Sequence, residues 1–140
     1  MLGAVLVLAT MAGFVWRRRD GRMGRPARAG EPAAPPLTES DLGQPLGSRA
    51  TLLQFSSSFC TPCRATRQLL SDVAGRSDGV VHVEIDVAAR MDLAHRLDVR
   101  RTPTVLVLGP GGQITRRATG LPRHAEVVDA LALAAGEAAP

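Results

Sequence analysis

The sequence predicts an α/β domain with a central mixed sheet of about four strands flanked by helices, preceded by an apolar amino-terminal helix. From residue 37 onward, apolar runs of strand length alternate with stretches that repeat apolar residues at helical spacing. The last two runs flank a turn of glycine and proline, which predicts an antiparallel hairpin beside strands that are otherwise linked by helices. The first 16 residues, by contrast, contain no charged side chain.

The amino-terminal segment, residues 1–16, predicts a transmembrane anchor. It ends abruptly at three arginines, residues 17–19. As a helix it would span about 24 Å, and snorkelling arginines can make up the difference from the ~30 Å hydrocarbon core. Because the positive charge follows the span, we expect a single-pass protein of the cell membrane whose domain lies on the cytoplasmic side.

A cleaved signal peptide, which would leave an exported domain, is one alternative interpretation of this segment. A mis-assigned start codon or a soluble tail is another. The small side chains of Ala27 and Ala29 fit a cleavage site, but a signal peptide carries its positive charge before the apolar stretch. Residues 17–36 are rich in arginine, proline, glycine and alanine, which predicts a flexible basic linker. The folded domain then comprises residues 37–140.

The charge distribution argues against a nucleic-acid partner. The whole net charge of +4 lies in residues 1–36, where six arginines accompany two acidic residues. Residues 37–140 are neutral overall, and aromatic residues make up only 3% of the chain. A nucleic-acid-binding domain would instead show a basic face, commonly with aromatic side chains.

The first half of the domain predicts a short helix, a strand and a longer helix. Thr38 and Asp41 have the spacing of a capping box, so we expect a helix that begins here and ends at Gly43. Residues 50–55 are an apolar run typical of a buried strand. Residues 60–74 place leucine, valine and alanine on one face, which predicts a helix.

The second half of the domain predicts three strands and two helices. Residues 80–87 predict a strand, and residues 91–97 predict a helix. The β-branched run at residues 104–108 suits the centre of a sheet. Residues 113–119 return after the turn as its hairpin partner. Pro122 then begins a last helix with valine and leucine on its buried face.

The chain has two cysteines, Cys60 and Cys63, separated by two residues at the junction of a strand and a helix. This pattern is typical of a thiol–disulfide redox site. A purely structural disulfide would close too small a loop to stabilise the fold much. A zinc site would need two more ligands, and the histidines at positions 82, 95 and 124 are not paired. We therefore expect a redox pair and no metal.

The position of each cysteine suggests its role. Cys60 is expected at the helix amino terminus, where free N–H groups and the helix dipole favour its thiolate. Arg64 and Arg67 add positive potential. We therefore predict that Cys60 is the nucleophile and that Cys63, one turn inside the helix, resolves the mixed disulfide. Pro62 falls in the first turn, where a missing N–H costs little.

Four separated motifs together resemble the thioredoxin family. They occur in the family's order over residues 37–136: Phe59-Cys60-Thr61-Pro62-Cys63, Ile85-Asp86, Arg101-Thr102-Pro103-Thr104, and Gly120. Only 40 positions separate Cys63 from Pro103, which leaves no room for the insertion that some relatives carry there. The chain is therefore similar to the plain thioredoxin type.

The resemblance implies a thioredoxin-like fold and reduction of disulfides in protein substrates through the Cys60–Cys63 dithiol. No cofactor is expected besides this redox-active disulfide, and thioredoxin reductase is implied as the electron donor. Thr61 and Pro62 stand where typical thioredoxins have Gly-Pro, so the redox potential is not carried over from the family. The alternatives are an exported cell-envelope oxidoreductase and a redox-inactive adaptor that uses the fold to hold a partner.

The resemblance also implies a substrate-binding surface around the cysteines. Pro103 would be cis and face them, and the backbone of Thr102 would bind an extended substrate segment. Thr61 and Pro62 would contact the same segment, and Phe59 with Gly120 would complete an apolar rim. Two other interpretations stay open: Phe59 as part of the core, and Pro103 as an ordinary trans proline at the start of an edge strand.

Two residues depart from the family. Thioredoxins place a buried aspartate six residues before the first cysteine, where this chain has Gln54, which does not titrate. The usual lysine on the neighbouring strand is replaced by His82. We hypothesise that His82, hydrogen-bonded to Gln54, replaces the carboxylate as the group that exchanges the proton of Cys63. The alternative is a surface or neutral core histidine.

Overall fold

The computed structural model describes residues 2–24 and 34–136, and it confirms an α/β fold with a four-stranded mixed sheet flanked by helices. The elements in chain order are α1 (Leu2–Arg19), α2 (Glu39–Leu42), β1 (Ala50–Ser56), α3 (Thr61–Gly75), β2 (Val80–Asp86), α4 (Met91–Arg96), β3 (Thr104–Leu108), β4 (Ile114–Thr119) and α5 (His124–Ala134). The strands and helices predicted within the domain are all present, and their ends differ by at most two residues from the predicted bounds.

The sheet has the strand order β2-β1-β3-β4. β1 is parallel to β2 and antiparallel to β3, and β3 and β4 form the predicted hairpin. Every residue of the two central strands is buried. Their side chains alternate between two apolar clusters, as the period of two in a strand requires. One cluster includes α3 and α5, and the other includes α2 and α4.

The start of the domain forms as its sequence predicts. The hydroxyl of Thr38 accepts from the backbone N–H of Asp41, whose carboxylate accepts from the backbone N–H of Thr38 at 2.8 Å. This is the expected capping box, and it satisfies N–H groups that a helix start leaves free. Gly43 ends α2 in the left-handed conformation, φ 75°, which glycine adopts at little cost.

The predicted transmembrane helix is not supported. The apolar amino-terminal residues do form a helix, but its uncharged part ends at Trp16 and its last turn consists of Arg17, Arg18 and Arg19. None of the helices in residues 2–24 and 34–136 combines the length and the apolar character that a membrane crossing needs. The predicted position of the domain at the cytoplasmic face of a membrane stays a prediction.

The beginning of the predicted linker lies against the sheet. The backbone N–H of Gly21 donates to the carbonyl of Thr119 at 2.6 Å. Gly24 and Arg117 exchange two backbone hydrogen bonds of 2.8 Å. Residues 20–24 therefore run along β4. The rest of the predicted linker up to position 33 lies outside the described residues.

Candidate active site

The two cysteines lie where β1 passes into α3. Cys60 is the residue before the first turn of α3 and has an extended backbone, φ −99° and ψ 100°. Cys63 lies one turn inside the helix. The two residues are joined by a disulfide, with their Cα atoms 5.2 Å apart. Cys60 is partly exposed and Cys63 is only 2% exposed, so an incoming sulfur can reach Cys60 much more easily than Cys63.

A cleft of about 540 Å³ opens above Cys60, and its lining includes Ser57, Phe59, Thr61, Arg64 and Arg67. The first turn of α3 contains no acidic residue. No carboxylate of that turn therefore offsets the partial positive charge of its free N–H groups. These groups favour an anion at Cys60.

One predicted source of positive potential is largely neutralised. Arg67 makes a bidentate ion pair with Glu84 of β2. One of its two contacts joins Nη2 of Arg67 to Oε1 of Glu84 at 2.7 Å. Ser56 also donates to Glu84 at 2.6 Å. The hydrogen bonds from Arg67 lower the pKa of Glu84, and the same pairing raises the pKa of Arg67. Arg67, which was predicted to add positive potential near Cys60, therefore shares its charge with Glu84, and Arg64 also lines the cleft.

The loop before β3 forms the opposite wall of the redox site. The Thr102–Pro103 peptide bond is cis, as the resemblance implied. The hydroxyl of Thr102 lies 3.8 Å from the Sγ atom of Cys60 and 2.7 Å from the hydroxyl of Ser57. Gly120 donates its backbone N–H to the carbonyl of Pro103 at 2.8 Å. The structure thus brings the loop before β3 and the end of β4 to the cysteines.

Phe59 projects fully into solvent beside Cys60. Its side chain has no buried surface, and its backbone is left-handed, with φ 60°. The interpretation of Phe59 as a core residue was therefore wrong. Phe59 is therefore accessible to any molecule that approaches Cys60.

Gln54 and His82 meet behind the buried cysteine, as hypothesised. The side-chain amide of Gln54 is completely buried and donates to the backbone carbonyl of Cys63 at 2.9 Å. Its oxygen lies 3.1 Å from Nε2 of His82. The other ring nitrogen of His82, Nδ1, lies 3.0 Å from the hydroxyl of Ser71 on α3. A continuous set of hydrogen bonds therefore links α3, the imidazole and the Cys63 backbone.

This hydrogen-bond set also fixes the tautomer of the imidazole. The Gln54 amide nitrogen donates to a carbonyl, so the Gln54 atom facing His82 is its oxygen, which only accepts. Nε2 must then carry the proton, which makes Nδ1 the basic atom of neutral His82 and the acceptor of the Ser71 hydroxyl. The bonds reach the carbonyl of Cys63 and not its sulfur.

Burial lowers the pKa of His82. The charge of Glu84 raises it in opposition, and the charge of Arg67 lowers it further. The imidazole is therefore more fully neutral at pH 7 than a free histidine, whose pKa is about 6.5. A neutral imidazole is the form that accepts a proton.

Three residues that contribute to the site were not predicted from the sequence. Glu84 lies opposite Gln54 in the β1–β2 register, but the sequence alone does not reveal its pairing with Arg67. The hydroxyl of Ser57 contacts Thr102, 45 residues away. Asp20 forms an ion pair with Arg101, directly before Thr102. Among the described residues, no three histidine, cysteine or acidic side chains are grouped as metal ligands.

Comparison with known protein families and sequences finds similarity to thioredoxins. The family model described as thioredoxin matches residues 37–132. Thioredoxin from Staphylococcus epidermidis is 28% identical over 96 residues, which cover 66% of this chain and 92% of that protein. Thioredoxin H5 from Oryza sativa subsp. japonica is 31% identical over 72 residues. That match covers 51% of this chain, which spans only 53% of the rice protein.

Solved structures agree on the fold. A mutant thioredoxin from Halobacterium salinarum NRC-1 superimposes with a TM-score of 0.60 at 22% identity, over 66% of this chain and 80% of that one. The short form of thioredoxin f from spinach chloroplast gives a TM-score of 0.55 at 22% identity, over 63% of this chain and 78% of that one. At these identities the likeness shows the fold alone.

Proposed function

Since the chain belongs to the thioredoxin family and its Cys60–Cys63 pair makes it a protein-disulfide oxidoreductase, we propose that it works as a reductase of disulfides in protein substrates. The observation that carries the proposal is the asymmetry of the pair. Cys60 is reachable from the cleft at a helix amino terminus, while Cys63 is 2% exposed. One sulfur is thus placed to attack a substrate, and the other is placed to attack only Cys60.

The reaction proceeds in two exchanges that conserve sulfur bonds. In the first, the Cys60 thiolate attacks one sulfur of the substrate disulfide, forms a mixed disulfide, and releases the other substrate sulfur as a thiolate. In the second, the Cys63 thiolate attacks Cys60 Sγ, and the second substrate thiolate leaves. Two electrons pass to the substrate, and the protein ends as the Cys60–Cys63 disulfide. An external dithiol donor, for which the family suggests thioredoxin reductase, restores the reduced form.

The substrate-binding surface follows from the walls of the cleft. The hydroxyl of Thr102, which precedes the cis Pro103, lies next to Cys60. The backbone of Thr102 binds an extended substrate segment by strand addition. Thr61 and Pro62 border the same sulfur on α3. Phe59 supplies an exposed apolar contact, and Gly120 supports the loop from behind through its hydrogen bond to the carbonyl of Pro103.

We assign to His82 the acceptance of the proton that Cys63 loses before the second exchange. Nδ1 is the basic atom, and it communicates with solvent through the exposed Ser71. Gln54 is a positioning residue, because a carboxamide holds the imidazole in place but does not titrate. The hydrogen bonds from the imidazole lead to Gln54 and Ser71, so the proton of the Cys63 sulfur passes to it by way of a bridging water.

The direction of the reaction is tested by equilibrating the full chain with glutathione redox buffers and quantifying the Cys60–Cys63 disulfide. A reductase should have a potential near or below that of glutaredoxins, about −200 to −230 mV. The reduced chain should also reduce insulin when dithiothreitol regenerates it, and a chain alkylated on both cysteines should not. A potential near −120 mV, that of a strong oxidant, would overturn the proposal. So would insulin reduction no faster than that by dithiothreitol alone, which is the behaviour of an inert adaptor.

A further inference from the structure

The chain that follows α1 lies along one edge of the sheet. β4 is the edge strand, and residues 20–24 lie along it through the hydrogen bonds of Gly21 and Gly24. Unpaired backbone groups make such an edge a natural place for an added segment. This pairing holds the last turn of α1, which contains Arg19, beside the carboxyl-terminal part of β4.

A groove of about 280 Å³ opens where this segment meets the sheet. Its charged lining consists of four arginines and one carboxylate: Arg19, Arg22, Arg101, Arg117 and Asp20. We call it the arginine groove. Asp20 pairs with Arg101. In the described ranges 2–24 and 34–136, no carboxylate forms an ion pair with Arg19 or Arg22, so the groove carries an excess of positive charge.

Part of the groove is held rigidly. The half-buried guanidinium of Arg117 donates to the carbonyls of Leu97 and Asp98 at 2.7 Å each. Burial lowers the pKa of Arg117, and the nearby charge of Asp98 opposes this effect. An arginine fixed by backbone carbonyls loses little further conformational freedom when it meets an anion.

The arginine groove continues into the redox site. Arg101 immediately precedes Thr102, whose hydroxyl contacts Cys60 Sγ. The Asp20 carboxylate lies so close to Gly120 that a Cβ atom there would be 2.8 Å from it. Gly120 in turn binds the carbonyl of Pro103. A chain bound across the Thr102–Pro103 loop would therefore come next to Arg101 and the arginine groove.

We propose that the arginine groove binds an acidic segment of the substrate protein, next to the disulfide that Cys60 attacks. This inference rests on the proposed reductase function and defines the substrate class. Substrate carboxylates pair with Arg19 and Arg22 and compete with Asp20 for Arg101. An acidic polypeptide is favoured over other anions because the groove adjoins the surface where an extended substrate chain is bound.

The test compares two peptides of equal length, each with one internal disulfide. In the acidic peptide the disulfide is flanked by aspartate and glutamate, and in the neutral peptide by asparagine and glutamine. With the full chain, the acidic peptide should have a KM roughly tenfold lower at low salt, and the difference should shrink at 1 M salt. Arg22→Gln should raise the KM for the acidic peptide roughly three- to fivefold at unchanged kcat. Asp20→Asn should lower the KM for the acidic peptide, because Arg101 is released from its ion pair with Asp20.

Arg76→Gln is the matched control, since Arg76 is an exposed arginine at the end of α3 and outside the groove. Reduction of neutral 2-hydroxyethyl disulfide should be the same in Arg22→Gln and Arg76→Gln as in the wild type. If that reaction is absent, the proposed function fails. If it proceeds but the peptides have equal KM values, or Arg76→Gln matches Arg22→Gln, the groove proposal fails. Arg22-dependent binding to phosphatidylglycerol vesicles without a peptide preference would assign the groove to lipid and also overturn the proposal.

Discussion

Cys60→Ser is expected to abolish catalysed disulfide reduction. The loss should be roughly three orders of magnitude or more, the scale seen when an enzyme loses its nucleophile. The reason is geometric: Cys63 is 2% exposed and shielded by the first turn of α3, so it does not meet a folded substrate in place of Cys60. The loss is measured from the rate at which insulin becomes turbid when dithiothreitol reduces it in the presence of each protein.

The chain supplies its own control for this substitution. Cys63→Ser makes the same chemical change three residues later and removes the same disulfide, but it leaves the exposed nucleophile in place. Both variants lose the cross-link, but only Cys63→Ser should still form a mixed disulfide with the substrate, which separates loss of the nucleophile from loss of the cross-link. If Cys60→Ser retained substantial catalysis while Cys63→Ser lost it, the assignment of roles would be reversed.

His82→Ala is expected to slow the second exchange, in which Cys63 attacks the mixed disulfide, by about 10²-fold at pH 7. That is the lower end of what a positioned acid–base group contributes. In the wild type this step should slow as pH falls, because only neutral imidazole accepts a proton. The inflection should lie below 6.5, since burial lowers the pKa of His82. In the variant this inflection should be absent.

Stopped-flow measurement of the second exchange from pH 5 to pH 8 tests this expectation. His95→Ala is the control, because His95 is an exposed histidine on α4. A lower stability with an unchanged pH profile would mean that His82 only anchors Gln54. The charges that act on His82 are those of Glu84 and Arg67, so Glu84→Gln should move the inflection to lower pH by removing the interaction that raises the pKa.

The parts of the fold that the sequence predicted are those governed by local rules. Apolar periodicity marked the strands and helices, and the spacing of Thr38 and Asp41 marked the capping box. The Cys60–Cys63 spacing identified the redox chemistry without any knowledge of tertiary contacts. The family's pattern added the cis Pro103 and the meeting of Gln54 with His82, which are far apart in the chain.

The parts that the sequence did not reveal depend on contacts between distant segments. The ion pair of Arg67 with Glu84 was not predicted, because Glu84 lies on another element, 17 residues away. Asp20 meets Arg101 across 81 positions, and no periodicity records such a contact. Phe59 is apolar and follows a buried strand, yet its left-handed backbone turns it into solvent. The anchor prediction relied on snorkelling arginines to extend a short apolar span, whereas no helix among the described residues has the length and apolar character for a crossing.

The central claim, that Cys60 attacks the substrate and Cys63 releases it, is tested most directly by trapping. Reduced Cys63→Ser is mixed with a disulfide-containing protein, quenched with acid and analysed by non-reducing mass spectrometry after proteolysis. We predict accumulation of a mixed disulfide between the substrate and Cys60, with no such adduct in Cys60→Ser. A substrate adduct on Cys63 in Cys60→Ser, without one on Cys60 in Cys63→Ser, would contradict the account.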